Sequence, residues 1–235
     1  KVAAGTPDVQ VADCEFNAAE IIKMVREMEA EGAKVMVFPE LCITAYTCGD
    51  LFWQENLLEE AKVQLVRIAE ETADVDAIIF VGLPLEYKGK LYNVAAGLNH
   101  GEILGFVPKT YLPNYNEFYE ARYFTSGEDV DGTVTIRRSE YGLHHDEEMT
   151  DEDVEFGLEA ELEALEEEDS FEELEEIDEE PDYIDEDETE EFDEVDVPIS
   201  SNILFICQEM PKLKIAAEIC EDLWTAAPPS SQLAL

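Results

Sequence analysis

Positive charge is scarce in this 235-residue chain: 14 Lys and Arg face 59 Asp and Glu, a formal net charge of −45. Residues 146–196 alone hold 31 of the acids and neither Lys nor Arg. With no positive field to replace counterions, binding to nucleic acid through a basic surface is excluded as a working expectation, and so is docking on an anionic membrane. No apolar run approaches the roughly 20 residues that a bilayer requires, and no charged-then-apolar leader follows Lys1. Histidine is nearly as scarce, with His100 in a turn-like stretch and the pair His144 and His145 beside the acidic tract. The five cysteines are odd in number and form no CxxC. A disulfide framework is therefore not expected, no metal site is expected, and the compartment predicted is the reducing cytoplasm. Apolar residues, at 46%, are present in ordinary amount and can supply a sizeable core.

The first 110 residues alternate between strand and helix signals. Val2–Ala4 starts a short strand, and Asn17 with Glu20 forms a capping-box pattern ahead of Ile21, Ile22, Val25 and Met28. Val35–Phe38 and Ala77–Val81 are short apolar runs of the kind covered on both faces, the first ended by Pro39, the second by Gly82 and Pro84. A helix is predicted over residues 56–72. Asn93–Leu98 and Glu102–Val107 flank Asn99-His-Gly101 and read as a hairpin. Ile203–Cys207 and Lys214–Ile219 are two further strand candidates. This is the pattern of an α/β layered fold. The predicted division is 1–140, then an acidic, largely disordered insertion over 141–196, then 197–235 as the rest of the same domain.

Three stretches place a chemically useful side chain just after an apolar run: Glu40 after Phe38-Pro39, Lys109 after Val107-Pro108, and Cys220 after Ile219. Taken singly, Glu40 reads as a solvated loop acid, Lys109 as a surface lysine and Cys220 as a buried structural thiol. Together they would supply a nucleophile, a base for its proton and a cation for an oxyanion, provided the strand ends lie side by side. Spacing alone leaves that proviso open.

The residues around these three carry a resemblance. Phe38-Pro-Glu-Leu-Cys-Ile-Thr-Ala-Tyr-Thr-Cys-Gly-Asp-Leu-Phe52 resembles the glutamic-acid motif of the nitrilase superfamily of carbon–nitrogen hydrolases, in the form found in glutamine-dependent NAD synthetases. Pro108-Lys-Thr-Tyr-Leu-Pro-Asn-Tyr-Asn-Glu-Phe-Tyr-Glu-Ala-Arg122 resembles their lysine motif, and Glu218-Ile-Cys-Glu-Asp-Leu-Trp224 with Pro228-Pro-Ser-Ser231 their cysteine motif. The resemblance spans 1–130 and 197–235 and skips the acidic tract. It implies an α-β-β-α sandwich whose last strands lie beyond Leu235. It also implies a glutaminase in which Cys220 is the nucleophile, Glu40 the base, and Lys109 with the backbone N–H of Glu221 the oxyanion site. By the same mapping Glu117 is a second acid that orients the site, Tyr115 a contact to the substrate glutamine, and Tyr46 and Trp224 near-site aromatics. Ala45 stands where the family usually has glycine.

The resemblance further implies L-glutamine as substrate, a homo-oligomer, and a C-terminal synthetase domain that uses ATP and Mg to amidate deamido-NAD with the released ammonia. The glutaminase step itself needs no cofactor. That second domain is not in this chain, and no SGGxDS-type pyrophosphate loop occurs in it. Two alternatives stand beside this reading. One is a free-standing amidase acting on another small amide, against which the Tyr46–Phe52 extension argues. The other is an inactive scaffold presenting residues 146–196 to a basic partner, against which the intact Glu40, Lys109 and Cys220 argue.

Overall fold

A computed structural model describes residues 1–137 and 194–233, all of which belong to one compact unit. The bulk of the predicted insertion, including His144, His145 and the leucines at 158, 162 and 165, lies outside the described residues. The fold is built on a seven-stranded mixed sheet with the order β1-β2-β3-β4-β5-β7-β6. Strands β1 (Val2–Ala4), β2 (Val35–Val37) and β3 (Ile78–Tyr87) run parallel. Strands β4 (Lys90–Asn99) and β5 (Glu102–Pro108) continue as antiparallel hairpins. Strand β7 (Glu194–Ser200) joins β5 in parallel and carries β6 (Asp131–Arg137) on its outer side.

Helices α1 (Cys14–Ala30) and α2 (Glu55–Glu71) cover one face. Ile21, Val25, Leu65 and Ile68 are completely buried against Ile79, Val81, Leu83 and Leu85 of β3. Each such side chain contributes about 1.5–3 kcal/mol on leaving water. Alternate residues of the same strands face the other way. There Phe80 and Val107 pack with Phe205 of a small second sheet, β8 (Phe205–Ile206) paired with β9 (Lys214–Ile215). The Phe205 ring meets Phe80 edge-on at 5.2 Å and lies so close to Gly97 that a side chain there would collide with it. The predicted α/β sandwich is thus present as a helical layer, a large sheet and a two-stranded second sheet. A short helix, α3 (Pro229–Leu233), ends the described chain.

Several local expectations change. Helix α1 is capped by Asp13, whose side chain accepts from Phe16 N at 3.0 Å, not by Asn17. Asn17 is instead buried one turn into the helix, where its amide bonds the backbone of Gln10 and Ile43 and ties two loops to α1. Strand β3 runs on through Gly82 and Pro84 rather than stopping there. Its parallel partner β2 ends opposite Phe80, so the missing N–H of Pro84 falls where β3 has become an edge on that side. Strands β6 and β7 were not foreseen. Because β7 begins at Glu194, the last residues of the predicted insertion belong to the fold.

Candidate active site

The sheet delivers Glu40 and Lys109 to the same end of the molecule. Glu40 follows β2 on a turn in which Leu41 adopts a left-handed backbone, φ 52°. That turn crosses β3 at Gly82: Ile43 N donates to Gly82 O at 3.1 Å, and Gly82 N to Cys42 Sγ at 3.3 Å. A side chain at Gly82 would strike the backbone of Pro39 and Leu41, so the close approach requires glycine. Lys109 follows β5, and its backbone N donates to Asn93 O on β4 at 2.8 Å.

The Lys109 side chain is completely buried, and it is not a surface lysine. Its Nζ donates to Glu40 Oε1 at 2.6 Å and to Glu120 Oε1 at 2.7 Å. Burial works against its charge, but the two carboxylates outweigh burial and hold its pKa above the usual value. Glu120 Oε1 also accepts from Tyr46 OH at 2.7 Å, and burial keeps the Glu120 carboxyl above its ordinary pKa despite those two donors. Burial, and then Glu120, likewise raises the Tyr46 phenol. Glu40 Oε1, which accepts from Lys109, takes a second bond from Asn93 Nδ2 at 2.5 Å.

Cys220 opens a 3₁₀ turn, Cys220–Trp224, in a left-handed conformation, φ 45°, and is exposed rather than buried. Exposure and a left-handed backbone set Cys220 apart from the buried structural thiol that its residue type alone suggests. The turn is anchored by buried Asp222, which accepts from Thr110 N, Tyr111 N and Ile219 N at 3.0, 2.7 and 3.2 Å. The residues after Lys109 are thereby fastened directly to the residues after Cys220. Burial raises the Cys220 thiol; the Lys109 charge opposes this, and Glu40 and Glu120 reinforce it. Lys109 bonds Glu40, and Glu40 and Cys220 line one cavity, so the proviso left open by spacing is met in space. A cavity of about 460 Å³ runs from Glu40 and Cys220 over Phe80, Gly82 and Ala95.

The structure sorts the remaining expected residues. Tyr115 OH donates to Glu221 Oε2 at 2.9 Å, one residue from Cys220. Tyr46 reaches the site through Glu120. Trp224 is 74% exposed at the end of the turn. Glu117 does not join the cluster: a left-handed Asn116 and the turn Phe118 N to Tyr115 O leave it on the surface. The second acid on Lys109 is Glu120, brought inward by its own 3₁₀ turn, Glu120–Arg122. Sequence reasoning also missed Asn93 and the anchoring role of Asp222. An amide inside an apolar strand was the available signal for Asn93. Two acids three residues apart in an irregular loop offered none for choosing between them. Outside the cluster, Arg122 and Tyr123 bond Asp50, and Phe52 packs on Phe124 at 5.0 Å, which clamps the Glu40 loop to the Glu120 loop. Among the described residues no group of three His, Cys, Asp or Glu is arranged for a metal ion, and no helix is long and apolar enough to cross a membrane.

Glu40, Lys109 and Cys220 thus meet at one end of a layered α/β fold, and the chain belongs to the carbon-nitrogen hydrolase family, whose model matches residues 1–158. Its similarity to glutamine-dependent NAD(+) synthetases extends along the chain. Over all 235 residues it is 29% identical to the glutamine-dependent NAD(+) synthetase of Mycobacterium tuberculosis (strain ATCC 25618 / H37Rv), covering 26% of that protein. Over 119 residues, 51% of this chain and 21% of the relative, it is 40% identical to the Aquifex aeolicus glutamine-dependent NAD(+) synthetase. A solved glutamine-dependent NAD(+) synthetase from Cytophaga hutchinsonii shares the fold over 94% of this chain and 27% of its own, with a TM-score of 0.63 at 22% identity. The chain thus spans about a quarter of the length of these relatives.

Proposed function

We propose that this chain is the glutamine-hydrolysing part of a glutamine-dependent NAD(+) synthetase. The observation that carries the proposal is a fully buried Lys109 bridging Glu40 and Glu120 beside an exposed Cys220, in a chain similar along its whole length to such synthetases. Because the Cys220 thiol rests above its ordinary pKa, it is protonated at neutral pH and needs a base when it attacks. Glu40 takes that proton as Sγ bonds the side-chain amide carbon of L-glutamine. The remaining proton of the Lys109 ammonium and the backbone N–H of Glu221 stabilise the oxyanion. Glu40 returns the proton to the leaving nitrogen, ammonia departs, and a glutamyl thioester remains on Cys220. Water, deprotonated by Glu40, cleaves the thioester to glutamate and the free thiol.

In this reading the ammonia passes to a synthetase domain, where ATP and Mg serve amidation of deamido-NAD; no step of the glutaminase reaction uses them. Tyr115 and Glu221 line the approach to the thiol and are assigned to the amino-acid end of the substrate. Cytoplasmic location and homo-oligomeric assembly belong to the same proposal. The test is ammonia release from glutamine: the wild-type protein turns glutamine over, and Cys220→Ala lowers release to background. Full activity in Cys220→Ala would remove the nucleophile from this scheme, and preference for a different amide in a substrate panel would replace glutamine.

A further inference from the structure

Strand β4 carries a buried amide that the reaction above does not use. Asn93 is 1% exposed and lies on the face that also presents Ala95 and Gly97, toward the site rather than the helices. Its Nδ2 donates to Glu40 Oε1 at 2.5 Å, while its Oδ1 is buried without a partner. Leaving an acceptor unpaired in the interior is costly. An amide kept for packing or for the sheet would have both ends met. Here the bond its side chain makes is the one to the acid beside Lys109. The main chain of the same residue accepts from Lys109 N at 2.8 Å, so one residue holds the carboxylate by its side chain and the lysine by its backbone.

We infer that Asn93 is a positioning residue for the base: together with Lys109 it occupies Glu40 Oε1 and so leaves Oε2 as the oxygen that receives the Cys220 proton. Protonating Oε1 would break two charge-assisted bonds, of 2.5 and 2.6 Å, whereas protonating Oε2 breaks neither. The terminal carboxylate torsion is soft, and a single bond from Lys109 leaves the group free to pivot about that contact. The second bond, from a rigid central strand, removes the pivot. The same bond sets the spacing between base and cation, because Asn93 and Lys109 are fixed to each other across β4 and β5.

The inference rests on the reading of Glu40 as base and glutamine as substrate, and its test separates the two. Asn93→Ala and Asn93→Ser are compared with wild type by glutamine kinetics, and both variants are crystallised. Misplacing a reacting group by about an ångström costs on the order of 10²-fold in rate. Asn93→Ala is therefore expected to lose about 10²-fold in kcat with KM within about threefold. Asn93→Ser, which keeps a donor, is expected to recover about tenfold of that loss. In the Asn93→Ala crystals the Glu40 carboxylate should leave its present orientation. If kcat follows only the folded fraction, if KM absorbs the loss, or if Glu40 keeps one unchanged orientation in both variants, the inference is overturned. If the wild-type protein does not hydrolyse glutamine, the functional reading fails, and the orientation of Glu40 in the variant crystals still decides the role of Asn93.

Discussion

Glu117 and Glu120 sit in one loop with the same side chain, and substitution to glutamine separates their roles. Glu120→Gln keeps the shape but removes a charge from a buried cluster in which Lys109 carries the compensating one. Its kcat on glutamine should fall by at least tenfold, since the charge-assisted bond from Lys109 is replaced by a weaker one to a neutral amide and the ammonium is left held chiefly by Glu40. Glu117→Gln, on the surface, should stay within about twofold of wild type. Steady-state ammonia release measures both, and equal losses would contradict the placement. Ala45 offers a stability test at the same scale. It adopts φ 68° while nearly buried, a left-handed conformation that costs a residue with a Cβ about 1–2 kcal/mol. Glycine escapes that cost but loses more chain entropy, so Ala45→Gly should gain a net of about 0.5–1 kcal/mol in urea unfolding. A loss of stability would show that the methyl packs better than the backbone suffers.

Among the elements, the joint between the segment after Lys109 and the turn after Cys220 is the most exacting. Asp222 holds it by accepting three backbone N–H groups from both sides. Asp222→Ala leaves those donors unpaired and should destabilise the fold by about 1–3 kcal/mol, while lowering glutaminase kcat more than the folded fraction explains. Unfolding curves and active-site titration together check this; activity that tracks folding alone would reduce Asp222 to a structural anchor. Elements with strong local codes were legible in the sequence. The β4–β5 hairpin follows from Asn99-His-Gly101, and α2 from its helical period. Elements whose code is tertiary were not. Among the described residues strand β6 pairs only with β7, and β7 joins β5 although residues 138–193 separate it from β6 in sequence, so neither announces its partner locally. Asn17 reads as a cap because asparagine caps helices often, yet here it meets Ile43 O, a bond that only the folded loops create. Single-residue readings of Lys109 and Cys220 were reversed for the same reason. Burial and exposure there are decided by Glu120, by the bonds of Asp222 to Thr110 and Tyr111, and by the left-handed turn, none of which a single residue's type reveals.

Over the whole molecule, one sheet serves two purposes. Its helix-covered face holds the main core, and its other face carries the strand ends, the second sheet and the cavity into which Glu40 and Cys220 open. The clamp of Asp50 with Arg122 and of Phe52 with Phe124 lies outside the charged cluster but fixes the loops that bear Glu40 and Glu120. The proposed reaction depends on a thiol at Cys220 that attacks a glutamine side chain. Intact mass after incubation with 6-diazo-5-oxo-norleucine, followed by peptide mapping, tests that dependence most directly. One adduct per chain, located on Cys220 and absent from Cys220→Ala, is the result expected. A folded protein that remains unlabelled, or that is labelled at Cys207 or another thiol instead, would contradict it.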